Sequence, residues 1–241
     1  RKLKMSKTAL DNEEYLKVTY SETRAPRGSY PVELGNYIFS NFYKKAGKIL
    51  DIGCGRGDSM EAFSTLGFKP YGIDVSPVAL DYDHGFDVKV LDLEKEELSY
   101  ENDFDFVFSK SVVEHMHNPM ALIQAAYKSL KDDGVAVIMT PSWEYNYKAA
   151  FYIDHTHVTP FTKPSLRDIM EMAGFKEVEV YYFYQLPYLW KFPYLKIFSK
   201  LVSLLPIPYA PLNDVPWKVS SRLNKFVRFS KEVMLMAVAK K

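Results

Sequence analysis

Three histidines and a carboxylate are the groups in this chain best suited to moving a proton. The ordinary pKa of histidine lies near neutrality, which makes His115, His155 and His157 candidates for a general base at physiological pH. Glu114 stands next to the first of them. A second group is suited to binding. Gly53, Gly55 and Gly57 alternate along Lys48-Ile49-Leu50-Asp51-Ile52-Gly53-Cys54-Gly55-Arg56-Gly57. Glycine tolerates positive φ and lets backbone approach a ligand closely. The apolar run before these glycines and the helical spacing after them predict a strand, a tight turn and a helix N-terminus, the arrangement of a nucleotide-type site. Asp74 ends a second apolar run about twenty residues on, where a carboxylate can accept from both hydroxyls of a ribose.

The rest of the pattern supplies elements to position these groups. Apolar runs at Ile49–Ile52, Pro70–Val75, Phe86–Leu91, Phe104–Ser109 and Val135–Met139 alternate with helical spacing at Asp58–Leu66, Pro77–Tyr82 and Asn118–Leu130. That alternation predicts a parallel sheet with helices on its faces. A helix over Pro164–Ala173 ends at Gly174, and runs at Phe175–Tyr184 and Lys231–Lys241 predict two further strands, paired antiparallel. Glu33–Lys45 reads as a helix on the sheet edge. Ligands of open α/β sheets bind beyond the C-terminal strand ends. This puts Ser109, Lys110 and Ser111 at a ligand's edge and brings the histidine loops to the same rim.

Asp51, Gly53, Gly55, Gly57 and Asp74 resemble the E/D-x-G-x-G-x-G motif and second-strand acid of the class I S-adenosylmethionine-dependent methyltransferases. The spacing departs from the dinucleotide fingerprint G-x-G-x-x-G, since Asp58 follows Gly57. Val112-Val113-Glu114-His115-Met116 resembles the family's x-L-E-H-V segment. Asp154–Thr162 is similar to the H-x-x-x-F-T/S turn of small-molecule and sugar O-methyltransferases. The resemblance covers about residues 48–184 and 231–241. It implies one α/β domain over 1–241, a Rossmann-like, doubly wound, seven-stranded, mostly parallel sheet with an antiparallel last strand. Residues 1–47 would be an N-terminal cap and residues 185–230 a helical insertion between the last two strands.

The same resemblance implies S-adenosylmethionine as cofactor, leaving as S-adenosylhomocysteine. It would be held by Asp51, Gly53, Cys54, Gly55, Gly57, Asp74, Val75 and Ser109, with Asp92 and Leu93 at the adenine. Tyr20, Arg24, Arg27 and Tyr30 are candidates to fold over the bound molecules. His115 is the first choice for the base, His157 and His155 follow as base or hydrogen-bond donors, and Glu114 would orient His115 or the acceptor. In ubiquinone-pathway O-methyltransferases the comparable segment is E-x-x-E-H and can bind a divalent cation. Here Ser111 replaces the first acid, so no required metal is expected. No D/N-P-P-Y/F follows the fourth strand, which favours O-methylation, of a hydroxyl on a sugar, glycan precursor or other small metabolite. The alternatives are a non-catalytic cofactor-binding or partner module, and a quinone or lipid-type acceptor at a membrane surface.

Bulk properties narrow the field. A net charge of +1 over 241 residues creates no strong overall field, so no nucleic-acid partner is expected. Cys54 is the only cysteine, which excludes an internal disulfide and fits a reducing compartment. Within the glycine loop it reads as a small packing residue. No apolar run reaches the ~20 residues that span a bilayer, and Arg1–Met5 lacks the apolar core of a secretory signal, so a cytoplasmic protein is expected. The insertion is rich in Pro, Trp and Tyr and strongly basic, with Lys191, Lys196, Lys200, Lys218, Arg222, Lys225 and Arg228 against Asp214. Leu195, Phe198, Leu201, Val202 and Leu205 would share a helix face. Three roles compete for it: a lid or homodimer surface over the substrate pocket, a contact with an anionic inner membrane surface, or a grip on an anionic acceptor.

Overall fold

The computed structural model describes residues 27–147 and 150–241; Tyr20 and Arg24 lie outside them. Helix α1 (Tyr30–Ile38) runs into a π-turn at Phe39–Tyr43. Strand β1 (Lys48–Ile52) is followed by α2 (Asp58–Thr65) and β2 (Lys69–Asp74). A 3-10 segment, Pro77–Tyr82, leads to the short β3 (Asp87–Val90). Then come β4 (Phe104–Lys110), a 3-10 turn at Val113–His115, α3 (Pro119–Ser129) and β5 (Leu130–Pro141). Helix α4 (Lys163–Met172) precedes β6 (Lys176–Phe183). The insertion carries α5 (Lys196–Leu204) and α6 (Arg222–Lys231) before β7 (Met234–Lys240) closes the chain.

The seven strands form one sheet in the order β3-β2-β1-β4-β5-β7-β6. Neighbours from β3 to β5 are parallel, and β7 runs antiparallel to both β5 and β6. The strand order reverses between β1 and β4, which opens the ligand crevice of such sheets beyond the ends of these two strands. Side chains alternate between faces along a strand. Leu50, Ile52, Val107, Ala136 and Ile138 therefore meet Leu122 and Ile123 of α3 and Leu166 and Met170 of α4. Ile49, Phe106, Phe108, Val137 and Met139 meet Leu34 and Ile38 of α1 and Phe63 of α2. Each large apolar side chain buried this way contributes about 1.5–3 kcal/mol. Tyr43 is buried in the second layer, where its hydroxyl donates to the Val107 carbonyl at 2.8 Å.

Several boundaries differ from the sequence expectation, each for a local reason. β5 begins at Leu130 because Lys131 to Gly134 bulge within the strand instead of forming a turn before it: Leu130 pairs with Phe104, and Val135 with Phe106. Lys131 Nζ holds Asp105 at 2.9 Å and Lys241 Nζ donates to the Leu130 carbonyl at 2.7 Å, which fastens the bulge. The last strand starts at Met234 because α6, capped by the Ser221 hydroxyl on Asn224 N–H, runs through Lys231. In α5 the expected apolar face is split. Leu195 and Val202 are half-buried, whereas Phe198, Leu201 and Leu205 are exposed. No helix among the described residues is long and apolar enough to cross a membrane.

Candidate functional site

The glycine turn takes its shape from three positive φ angles. Gly53 (φ +81°) approaches the β4 side so closely that a Cβ there would fall 2.1 Å from Val112 Cγ2. Its N–H and that of Cys54 donate to the Ile73 carbonyl at 2.8 and 3.1 Å, fastening the turn to β2. Gly55 (φ +51°) faces open space, and Gly57 (φ +74°) is the N-cap of α2. Asp74 fixes the turn from the other side: its carboxylate accepts from Gly55 N–H at 2.9 Å and from Ser76 N–H at 2.8 Å. Burial raises the pKa of Asp74, and these backbone donors oppose the shift.

Beyond the C-terminal ends of β1, β2 and β4 lies a cavity of about 960 Å³. Of the residues expected to bind a cofactor, Asp51, Gly53, Cys54, Gly55, Asp74, Val75, Asp92 and Leu93 line it. Gly57 does not: a side chain there would meet the Tyr82 carbonyl and His84, behind the turn. Ser109 does not either, because its buried hydroxyl donates to the Ile52 carbonyl at 2.8 Å and ties β4 to β1. Asp51 is buried at the cavity wall, and its carboxyl has no hydrogen-bond partner among the described residues. Burial, with Asp74 nearby, pushes its pKa up to about 8. Burial also raises the Cys54 thiol well above its ordinary value, so it is no nucleophile. Asp92 accepts from Glu94 N–H at 3.0 Å and pairs with Lys95.

The opposite wall carries the histidines. His115 and His155 line the cavity, His155 at the exposed rim; Glu114 and His157 lie beneath it. Two loops meet here, the turn after β4 and the segment 154–159. Val158 N–H and Thr159 N–H both donate to the Glu114 carbonyl, at 2.9 and 3.0 Å. Thr159 Oγ1 donates to the Met116 carbonyl at 2.6 Å. His115 Nδ1 lies 2.8 Å from Thr156 Oγ1, and Thr156 Oγ1 donates to Asp154 Oδ1 at 2.6 Å. The one hydroxyl hydrogen is spent on Asp154, so Thr156 accepts from His115 Nδ1–H, which leaves Nε2 as the basic nitrogen. His157 packs edge-on against His115, ring centroids 4.7 Å apart, and its Nδ1–H donates to the Phe151 carbonyl at 2.6 Å.

Electrostatics follow from burial. Desolvation and the neighbouring His157 bring the His115 pKa down to about 4, and burial lowers His157 as well. Both imidazoles are neutral at pH 7. Burial raises Glu114 to about 7, although Thr140 Oγ1 donates to its Oε2 at 2.9 Å; Oε1 has no hydrogen-bond partner among the described residues. His157 Nε2 is 3.9 Å from that oxygen, beyond hydrogen-bond reach. Ligand atoms of Glu114, His115 and His157 lie within 4.8 Å of one another, a donor set that could hold a metal ion. Within that set Glu114 is fully buried and His157 is off the cavity surface, whereas His115 lines the cavity.

Sequence reasoning passed over His117, which also lines the cavity two residues beyond His115. It had placed Lys110 only at a ligand's edge. That lysine is a cavity residue whose pKa burial lowers, with Nζ 5.9 Å from the centroid of the Tyr30 ring. Tyr30 lines the cavity too, its buried hydroxyl without a partner among the described residues, whereas Arg27 reaches Asp58 and Glu61. No residue of 185–230 lines the cavity. The insertion approaches it through Trp190, which packs edge-on against Tyr30 at 6.0 Å.

Residues 27–180 match the methyltransferase domain family. The chain is 32% identical over 113 residues to a ubiquinone biosynthesis O-methyltransferase of Pseudomonas entomophila (strain L48), covering 44% of this chain and 49% of that protein. A protein of the same name from Actinobacillus pleuropneumoniae serotype 7 (strain AP76) is 26% identical over 155 residues, 56% of this chain and 65% of that one. The chain thus spans between about half and two-thirds of the length of these curated relatives. Among solved structures, an S-adenosylmethionine-dependent methyltransferase from Archaeoglobus fulgidus shares the fold with a TM-score of 0.63 at 21% identity, over 91% of this chain and 97% of that chain. So does a 1,6-didemethyltoxoflavin-N1-methyltransferase from Burkholderia thailandensis, with a TM-score of 0.61 at 15% identity, over 97% and 88%.

Proposed function

This chain belongs to the methyltransferase-domain family, and from that premise we propose that it methylates a hydroxyl oxygen of a small-molecule acceptor from S-adenosylmethionine, with His115 as the base. The cavity suits that donor. Asp51 offers a buried carboxyl that lacks a partner among the described residues, and the donor's ammonium is the kind of group that would ionise it. Gly55 leaves space where a side chain would intrude. Asp74 keeps lone pairs for ribose hydroxyls after binding two backbone N–H groups. Asp92 and Leu93, which line the same cavity, would meet the adenine. When bound, the cofactor supplies an electrophilic methyl on a sulfonium and leaves as S-adenosylhomocysteine.

The protein's own part is to orient the acceptor and remove its proton. His115 Nε2 takes the proton as the acceptor oxygen becomes a nucleophile. The Thr156–Asp154 pair holds the ring through Nδ1 and compensates the imidazolium that forms. Lys110 lines the cavity wall as a hydrogen-bond donor to an acceptor's developing anion. Glu114 positions the two loops through its carbonyl. In this reading proton removal rests on the imidazole, so turnover should persist after chelation. Loss on chelation with recovery on magnesium would reverse that.

One observation carries the reading: a neutral imidazole, fixed at Nδ1, shares a cavity with the glycine turn. The names of the curated relatives favour a ring hydroxyl of quinone-precursor type over the sugar hydroxyl expected from the 154–162 turn. Calorimetry with S-adenosylhomocysteine, followed by radiolabelled methyl transfer to phenolic and sugar acceptors, tests both parts. No heat of binding would end the proposal. Binding without transfer to any acceptor would leave a cofactor-binding module instead.

A further inference from the structure

We propose that the insertion between β6 and β7 docks this protein onto an anionic lipid bilayer, with α5 lying in the plane of the interface. A surface helix of a soluble fold turns its apolar side inward. Helix α5 does the reverse. Its fully buried residue is Ser199, while Ile197, Phe198, Leu201 and Leu204 are 61, 58, 55 and 75% exposed. At 3.6 residues per turn these four share one side. Tyr194 and Leu205 extend the stripe at either end, 71 and 50% exposed. A contiguous apolar patch of this kind marks an interaction surface, unlike single exposed apolar residues.

The stripe is held on a firm base. Helix α5 packs against α6. Lys231 Nζ donates to the Leu205 carbonyl at the end of α5. Asn224, buried in α6, bonds Ala210 N–H and carbonyl at 2.9 and 3.0 Å and the Val219 carbonyl at 3.0 Å, which fixes the long connection between the helices.

Charge selects the occupant. Residues 185–231 hold eight Lys and Arg against the single acid Asp214. Lys196, Lys200, Lys218, Arg222 and Lys225 are exposed, with no ion-pair partner among the described residues. Lys196 and Lys200, one turn apart, edge the stripe. Apposing a second copy would bring two strongly positive surfaces together. An anionic leaflet accepts the apolar side chains and neutralises the lysines at once.

Flotation of the full chain with vesicles tests this without methyl donor or acceptor, so its outcome is separate from that of the proposed activity. Phosphatidylcholine vesicles containing phosphatidylglycerol should carry the protein upward, and pure phosphatidylcholine vesicles should carry far less. Raised salt should weaken the binding. The triple variant Phe198→Ser, Leu201→Ser, Leu204→Ser alters solvent-facing side chains, so its melting curve should stay close to wild type while its partitioning falls about tenfold or more. Lys196→Glu with Lys200→Glu should fall similarly. The proposal is overturned if wild type ignores anionic vesicles or if either folded variant binds them as wild type does. It is overturned equally if light scattering shows a vesicle-inert dimer that the triple serine variant dissociates.

Discussion

His115 Nδ1 and Thr156 Oγ1 lie 2.8 Å apart although 41 residues separate them in the chain. The contact joins the turn after β4 to the loop before α4, and Asp154 extends it by accepting from the same hydroxyl at 2.6 Å. A histidine, a hydroxyl and a carboxylate in line fix the ring's tautomer. His115→Ala should cut kcat by about 10²–10⁴-fold with S-adenosylhomocysteine affinity retained. Thr156→Val keeps the imidazole but removes its acceptor, and should cost kcat a smaller factor with little change in donor KM. Steady-state kinetics on both variants checks this, and full activity in His115→Ala would move the base elsewhere.

The pH profile should carry the mark of burial. A base must be neutral to act, so the rate falls as pH drops through its folded pKa. For His115 that value is about 4 instead of an ordinary 6.5. The acid limb of kcat should therefore lie far below that of a solvated histidine. His157 lowers His115 through its own charge, so His157→Gln should move the limb upward. A wild-type limb near 6.5 contradicts the buried assignment.

Asp51 should cost the unliganded protein stability. Its folded pKa, about 8, lies above its ordinary 3.8, so the folded state holds a proton that the unfolded chain gives up. The stabilising contribution is whole below about pH 4 and is lost as pH rises towards 8. Asn does not titrate. Asp51→Asn should thus gain on wild type across that window, by on the order of a few kcal/mol at its upper end. The same variant should bind S-adenosylhomocysteine about 10- to 100-fold more weakly. Denaturant melts from pH 4 to 8 beside calorimetry would show both, and parallel pH dependence in the two proteins would refute the assignment.

Trp190 links the insertion to the cavity wall. Its ring lies 5.1 Å from Tyr37 and 5.0 Å from Phe183, and its Nε1–H donates to the Tyr184 carbonyl at 2.8 Å. Trp190→Ala should destabilise the fold by about 3–5 kcal/mol and raise KM by loosening Tyr30. Trp190→Phe should recover most of the stability. A KM unchanged in Trp190→Ala would separate the insertion from the cavity.

The glycine turn and the sheet were legible because their signals are local: glycines at 53, 55 and 57 need positive φ, and the apolar runs alternate with helical spacing. The bulge at Lys131–Gly134 was not, since it depends on Asp105 and Lys241, which are distant in sequence. Ser109 and Glu114 show the same limit within the site. Proximity to a strand end places Ser109 near the ligand, but it turns inward to the Ile52 carbonyl, and Glu114, expected from the E-H segment to orient His115 or the acceptor, is wholly buried. The exposed stripe of α5 escaped an apolar-face reading because spacing alone does not say which side of a helix meets solvent.

The Glu114 carbonyl receives two N–H groups from the neighbouring loop. These two bonds are made by backbone alone, so this part of the clamp is indifferent to which side chains stand at the rim. Substituting His117 or His155, both exposed at the cavity rim, should therefore leave that backbone hold intact.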